Sequence, residues 1–410
     1  MKYRCAGLAL AVVVALPVAC APALAAEGGP SAAPGSGDPG TTLLPPLPLR
    51  LGADTPCTGA SDRTAGGVPW SQTALGLARA QRISRGGGVT VAVVDTGVAA
   101  GVPSLSGRVT AADGADQDCV GHGTFAAGLI AAAPQQGSGI TGVAPGAAIL
   151  ALPGTDDRGV PSAPRIALAI RTAVDRGARV IYVGHALRTG TAELTAAAAY
   201  AAEHDALVVA PAAPDVVPKE ELAPDGTMPQ GPYWPAAAPG VLSVVDFGPS
   251  GIRQKSAPPA YRPDLSAPGS SLVSVGPRGS GHYIGSGASL AAACAAGAAA
   301  LVRAHRPEAT AAQVTRQLLA SAYPADTPRL DPFAALSVVP DHRTPARTPA
   351  VPAQLPQPAD PGPRTRSLAI AAAGLVIVLL VAGAAAVIPR GRARNWLPQG
   401  RAADDAAAER

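Results

Sequence analysis

Apolar residues in this chain fall into two alternating patterns. The stretch Val89-Thr-Val-Ala-Val-Val94 is short, β-branched and apolar at successive positions, which predicts a strand covered on both faces. Runs of the same kind recur at Val180–Val183, Ala206–Ala210, Val241–Val245 and Ser271–Val275, and residues 140–152 carry another around Ile149, Leu150 and Leu152. Between them lie stretches with helical spacing. Leu75, Leu77, Ala78 and Ile83 precede a stop at Gly86–Gly88, and Phe125–Ala133, Ile166–Arg176 and Thr191–His204 follow. This alternation predicts an α/β domain with a mainly parallel central sheet and helices on both faces. Gly287–Arg303 has no proline and is almost all alanine, which predicts a buried helix entered through a tight glycine turn. Gln313–Ala322 closes the domain as a helix, and Leu330–Leu336 is its last packed piece. Residues 211–240, with eight prolines, predict a long irregular loop, and residues 27–56 an extension that is wrapped on the surface or disordered.

The two ends carry a different signal. A basic start at Met1–Arg4, an apolar run from Ala6 to Ala19 and the small residues Ala23–Ala25 predict a secretory signal peptide over residues 1–25. Pro17 stands where a lipidation signal before Cys20 would have Leu, so cleavage near Ala26 is the expectation. Leu368–Ile388 is a run of 21 uncharged, mostly apolar residues, which predicts a single membrane-spanning helix. Four arginines follow it by residue 401 and two precede it at positions 364 and 366. Together with the signal peptide this places residues 389–410 in the cytoplasm and the body outside the cell. The division is then a Pro/Gly-rich extension over 26–68, a folded domain over 69–337 and a Pro-rich linker over 338–367.

Composition adds little and excludes something. A net charge of +4 is small for this length and the basic residues are spread, so no nucleic-acid partner is implied. The mature chain has cysteines at 57, 119 and 294, an odd number for an oxidising compartment. Cys294 falls inside the alanine helix as a small buried thiol, which leaves Cys57 with Cys119 as the expected disulfide.

Three polar residues interrupt these apolar runs at their ends. Asp95 closes the first strand, where open α/β sheets collect their ligands and catalytic groups. His122 stands between Gly121 and Gly123 at the start of a helix. Ser289 lies two residues past Gly287, in a first turn whose free N–H groups and dipole favour developing negative charge. Each has a plainer reading alone: a turn former, an exposed histidine, a capping serine. Together they offer one chemistry. A serine is a poor nucleophile until a histidine takes its proton, and a carboxylate fixes that histidine's tautomer and stabilises its charged form.

Val91-Ala-Val-Val-Asp95-Thr-Gly-Val98, Gly121-His122-Gly123-Thr124 and Gly287-Ala288-Ser289-Leu-Ala, with Gly297 further on, resemble the three signature segments of the subtilisin-like serine proteases, peptidase family S8. The resemblance runs from about Trp70 to Leu336. With Asp118-Cys119, Ala267-Pro-Gly269, Leu330-Asp-Pro332, the signal peptide, the Pro-rich spacer and one C-terminal helix, the chain more narrowly resembles the mycosins, membrane-anchored subtilases of actinobacterial type VII secretion systems. The resemblance implies a subtilisin-like fold. It also implies a serine-type endopeptidase in which Asp95 orients His122, His122 acts as general base and then acid, and Ser289 attacks the peptide carbonyl. Its partners would be a polypeptide substrate, the membrane and type VII secretion membrane components. No cofactor is expected, and apart from His122 and His185 the histidines, at 204, 282, 305 and 342, show no spacing suited to a metal site.

The chain also departs from that pattern. Ala288 and Ala293 replace a Thr and a Pro of the nucleophile segment. The side-chain oxyanion donor of the family is an Asn, and Pro214 stands at the matching place. No Asn occurs before Asn395, so no other alignment restores it. Losing such a donor costs about 10²–10³ in turnover. Asp215, one residue on, could donate only if protonated. After Val183 the chain reads Gly184-His185-Ala186 where the family has Ser-Leu-Gly, and His185 reads as a surface position or, alternatively, as a ligand or pH-sensitive contact. These departures imply reduced activity, or alternatively a catalytically impaired pseudoprotease retained as a scaffold in a secretion complex.

Overall fold

The computed structural model describes residues 43–338 and 362–394 of the chain, which fall in two separate units, residues 1–340 and 341–410. The signal peptide, most of the Pro-rich linker and most of the tail predicted from sequence lie outside the described residues.

Seven strands form one all-parallel sheet: β1 Thr90–Asp95, β2 Val109–Ala111, β3 Ala148–Pro153, β4 Val180–Val183, β5 Leu207–Pro211, β6 Leu242–Phe247 and β7 Leu265–Pro268. Their order across the sheet is β2-β3-β1-β4-β5-β6-β7. The helices of this unit are α1 Trp70–Ala74, α2 Leu77–Ile83, α3 His122–Ala131, α4 Ala163–Asp175, α5 Thr191–Glu203, α6 Ala288–His305, α7 Ala311–Ala320 and α8 Pro332–Ser337. Successive residues of a strand point to opposite faces, and here both faces are covered. Val91 and Val93 of β1 join the core built with α3 and α6, whereas Ala92 and Val94 join a second core built with α4 and α5. That double burial is why β1, β4, β5 and β6 read as unbroken apolar runs.

Two features depart from the sequence reading, and a third decides between two expectations. The helical stretch before Gly86 is two short helices, α1 and α2, because Gly76 between them takes a left-handed conformation at φ 58°. Leu272–Val275 (β8) is not part of the parallel sheet. It pairs antiparallel with β9, His282–Gly285, a strand the sequence did not announce. The extension is wrapped on the body as far as it is described. Ile284 on β9 donates to Pro45 O (3.0 Å), Leu47 donates to Ile284 O (2.8 Å), and Leu51 donates to Arg158 O (2.9 Å).

Helix α6 runs through the middle of the first core with its residues buried from Ala288 to Arg303. Its far end is fixed by the fully buried Arg303 side chain, which donates from Nη1 to Asp205 Oδ2 (3.0 Å). With one end held, the other presents its first turn to the C-terminal edge of the sheet, where β1, β4 and β5 end side by side.

In the second unit, helix α9, Gly362–Ala393, contains an apolar segment, Arg366–Ala393, long enough to cross a membrane, with its leucines, isoleucines and valines exposed. It is a candidate membrane span.

Candidate active site

Asp95 is the last residue of β1 and is fully buried. Its Oδ1 accepts from the Thr96 N–H (2.7 Å), and both carboxylate oxygens lie 2.9 Å from His122 Nδ1. The Tyr182 hydroxyl points at Oδ2 from β4 (3.4 Å). Gly184 faces the same carboxylate so closely that a Cβ there would run into Asp95 and into the Tyr182 hydroxyl. His122 opens α3 and is also buried. Its helix start is tied down by Asp118, which accepts from Gly121 N (2.6 Å), Thr124 N (2.8 Å), Thr124 Oγ1 (2.7 Å) and Thr96 Oγ1 (2.9 Å). Cys57 is bonded to Cys119, the next residue, and Thr58 donates to Cys119 O (2.8 Å) and Val120 O (2.6 Å), so the extension is fastened to this turn. Cys294 is free and buried.

Ser289 sits in the first turn of α6, and its Oγ lies 3.1 Å from His122 Nε2. The three groups picked out by sequence, 27 and 167 residues apart, thus form one chain of contacts. Such a chain can move a proton from a serine hydroxyl to an imidazole that a carboxylate orients.

Pro214 lines the site beside Asp215. The proline carries no polar side-chain atom, and the side chain that reaches the backbone N–H of Ser289 belongs to the next residue, Asp215. Asp215 Oδ1 accepts from Ser289 N (3.0 Å), Oδ2 accepts from Ser289 Oγ, and Oδ2 lies 3.6 Å from His122 Nε2. A carboxylate therefore occupies the place where an oxyanion would be bound. Gly287 makes this possible, since a Cβ there would collide with that carboxylate.

The surface reading of His185 is corrected. It is not a surface residue. Its ring centroid lies 5.8 Å from that of His122, its Nε2 lies 3.8 Å from Asp95 Oδ1, and that nitrogen is buried without a hydrogen-bond partner. Asp95, His122 and His185 place one oxygen and two ring nitrogens within 4.8 Å of one another. Since Asp95 and His122 are already bonded to each other, the group is a relay with a second imidazole beside it rather than a metal cage.

The electrostatics follow from this crowding. Burial pushes the Asp95 carboxyl up, but the charge and hydrogen bond of His122, with His185 and the Thr96 N–H, outweigh it and hold it at about 2. Burial alone would lower His122. Asp95 and Asp215 on its two sides reverse that and raise it well above the ordinary imidazole value. Burial lowers His185, with the Asp95 charge opposing and the His122 charge adding to the effect. Tyr182 is raised well above its ordinary value by burial and then by Asp95, so it stays a neutral donor.

Beside the three residues opens a cavity of about 260 Å³, lined by His122, His185, Ala186, Asp215 and, from the extension, Leu49 and Arg50. Sequence reading missed Asp118, Tyr182, His185 and Asp215 as members of this site. Tyr182 left no trace, whereas Asp118 appeared only as part of the resemblance, His185 as a departure from it, and Asp215 as the carboxylate beside the missing donor.

Known proteins share this architecture. The subtilase family model matches residues 86–351. Mycosin-3 of Mycobacterium tuberculosis is 33% identical over an alignment 432 positions long, covering 88% of this chain and 92% of that protein. Mycosin-1 of the same organism is 33% identical over 380, covering 76% and 83%. The structure of MycP3 protease from the type VII (ESX-3) secretion system superposes with a TM-score of 0.59 at 31% identity, covering 75% of this chain and 100% of the other. A chain in the periplasmic assembly from the ESX-5 inner membrane complex superposes with a TM-score of 0.62 at 26% identity, covering 77% and 95%. This chain belongs to the subtilase family and is, within it, a protein of mycosin type.

Proposed function

We propose that this protein is an exported, membrane-anchored serine endopeptidase that hydrolyses peptide bonds at a type VII secretion complex with reduced turnover. The observation that carries the reading is the continuous contact from Asp95 through His122 to Ser289, with gaps of 2.9 and 3.1 Å, beside an open cavity. Asp95, His122 and Ser289 are the catalytic residues. Residues 1–25 direct export, 26–68 form the extension, 69–337 the peptidase domain and 338–367 the spacer. Residues 368–388 anchor the chain in the cell membrane with the peptidase domain outside and 389–410 inside. The partners are a polypeptide substrate and secretion membrane components, a reading supported by the relatives from ESX-3 and ESX-5 assemblies. Treating the full-length protein in detergent with a fluorophosphonate probe should give a covalent adduct that peptide mapping assigns to Ser289 and that Ser289→Ala abolishes.

One observation favours a second reading, in which the chain is a pseudoprotease that acts as a scaffold. The carboxylate of Asp215 fills the oxyanion position and already holds the Ser289 N–H. A folded protein that forms no adduct under any condition would make this the better account.

A further inference from the structure

We propose that Asp215 is itself a catalytic residue: it takes the proton of Ser289 as the hydroxyl attacks the peptide carbonyl, and the carboxyl group so formed then donates a hydrogen bond to the oxyanion. The proposal rests on the peptidase reading above and assigns the proton-accepting role within it to a residue no signature segment contains.

The argument starts from the direction of the hydrogen bonds. His122 is flanked by two carboxylates, Asp95 at Nδ1 and Asp215 at 3.6 Å from Nε2. The other titratable groups facing it are His185, whose ring is 5.8 Å away, the Tyr182 hydroxyl on the far oxygen of Asp95, and Arg50, which lines the cavity with His185. This surrounding favours the imidazolium. Both ring N–H groups then donate, Nδ1 to Asp95 and Nε2 to Ser289 Oγ. The serine keeps its own hydrogen, which points at Asp215 Oδ2, while the Ser289 N–H points at Oδ1. Each donor in the row has one acceptor. An imidazolium has no lone pair to receive the proton of the serine, but Asp215 has one in direct contact with it.

The steps balance. In acylation the Oγ–C bond forms, the Oγ proton passes to Asp215 Oδ2, and the carbonyl oxygen becomes the oxyanion. That oxyanion takes over the Ser289 N–H from Oδ1 and accepts from the new carboxyl O–H. Collapse breaks the C–N bond, and the Nε2 proton of His122 goes to the leaving amine. In deacylation a water adds to the ester and gives a proton to His122 Nε2. Collapse breaks the C–Oγ bond, and Oγ regains its proton from Asp215. The site returns to carboxylate, imidazolium and hydroxyl, with one amide and one water converted to an acid and an amine. Asp215 in this scheme supplies the side-chain donor to the oxyanion that the chain otherwise lacks.

The test is the pH dependence of fluorophosphonate labelling by the full-length protein in detergent, between about pH 5.5 and about pH 7.5, for wild type, Asp215→Asn, Asp215→Ala and Ser289→Ala. The probe loses fluoride, which needs no proton from the protein, so the rate reports the removal of the Ser289 proton. Wild type should change by less than about threefold over the range, because its base is not the imidazole. Asp215→Asn, in which only His122 can accept the proton, should fall by roughly tenfold per pH unit once His122 is protonated. Asp215→Ala should be at least about tenfold slower than wild type at about pH 5.5. A wild-type rate that falls as steeply as that of Asp215→Asn overturns the proposal, and that result needs no variant to fold. Asp215→Ala labelling faster than wild type also overturns it and makes Asp215 a block. In both cases Ser289-dependent labelling leaves the peptidase reading standing. No labelling by any form overturns both.

Discussion

Removing the Asp118 carboxylate is the sharpest way to test how His122 is held. Asp118 is buried and accepts four hydrogen bonds, from the N–H groups of Gly121 and Thr124 and the hydroxyls of Thr96 and Thr124. In Asp118→Ala the two hydroxyls can turn elsewhere, but the two backbone N–H groups cannot. Each buried donor left unpaired costs about 1–3 kcal/mol, or about 4 kcal/mol for the pair. Over the described body, residues 43–338, an unfolding entropy of about 2.1 cal/mol/K per residue makes this a fall in Tm of roughly 6 °C. The same change frees the first turn of α3 and with it the His122 ring, and a 1 Å misplacement of a reacting group costs about 10²-fold. Thermal unfolding followed by circular dichroism, with hydrolysis of a polypeptide library by the same samples, measures both. A Tm within about 1 °C of wild type, or an unchanged hydrolysis rate, would refute the view that Asp118 builds the histidine turn.

Other consequences can be measured alongside. The Cys57–Cys119 bridge spans 62 residues, so Cys57→Ser/Cys119→Ser should lose about 4 kcal/mol, again roughly 6–7 °C in Tm, and an unchanged melting curve would show that the extension contributes nothing to stability. Gly184→Ala forces a Cβ against the Asp95 carboxylate and should slow peptide hydrolysis by about 10²-fold with the fold retained, whereas a fully active variant would mean that Asp95 has room to move. The pH dependence of stability has a definite sign. The contribution of Asp95, held at about 2, is present above the ordinary carboxylate range and lost as pH falls through about 2. That of His122, raised well above its ordinary value, is complete below that value and lost as pH rises through the raised one. The Tm of wild type should therefore decline from about pH 6 towards about pH 9 more steeply than that of His122→Gln, and parallel curves would argue against a charged His122.

What could be read from sequence, and what could not, divides along physical lines. The runs at Val89–Val94 and Val180–Val183 are legible because a central parallel strand buries both faces and leaves no polar position. Strand β2, three residues long and only half-buried, gives no such signal, and neither does β9, whose histidine, tyrosine and flanking glycine do not alternate. The partner of Leu272–Val275 is set by where the chain returns after Gly281, which periodicity does not encode. Asp95, His122 and Ser289 were legible because each interrupts an apolar run at a strand end or helix start. His185 and Asp215 lie in loops after β4 and β5 and enter the site only because β4 pairs with β1 and β5 with β4. Asp215 directly follows the proline read at the donor's place, and its contact with Ser289 is set by the path of a loop, which carries no periodicity to read.

The measurement that bears most directly on the central claim is hydrolysis itself. A polypeptide library incubated with the full-length protein in ¹⁸O-labelled water should yield new C-termini carrying the heavy oxygen with wild type and none with Ser289→Ala. Identical, unlabelled peptide patterns from a correctly folded wild type and from Ser289→Ala would contradict the account, leaving the site as a scaffold that keeps the shape of a peptidase without its reaction.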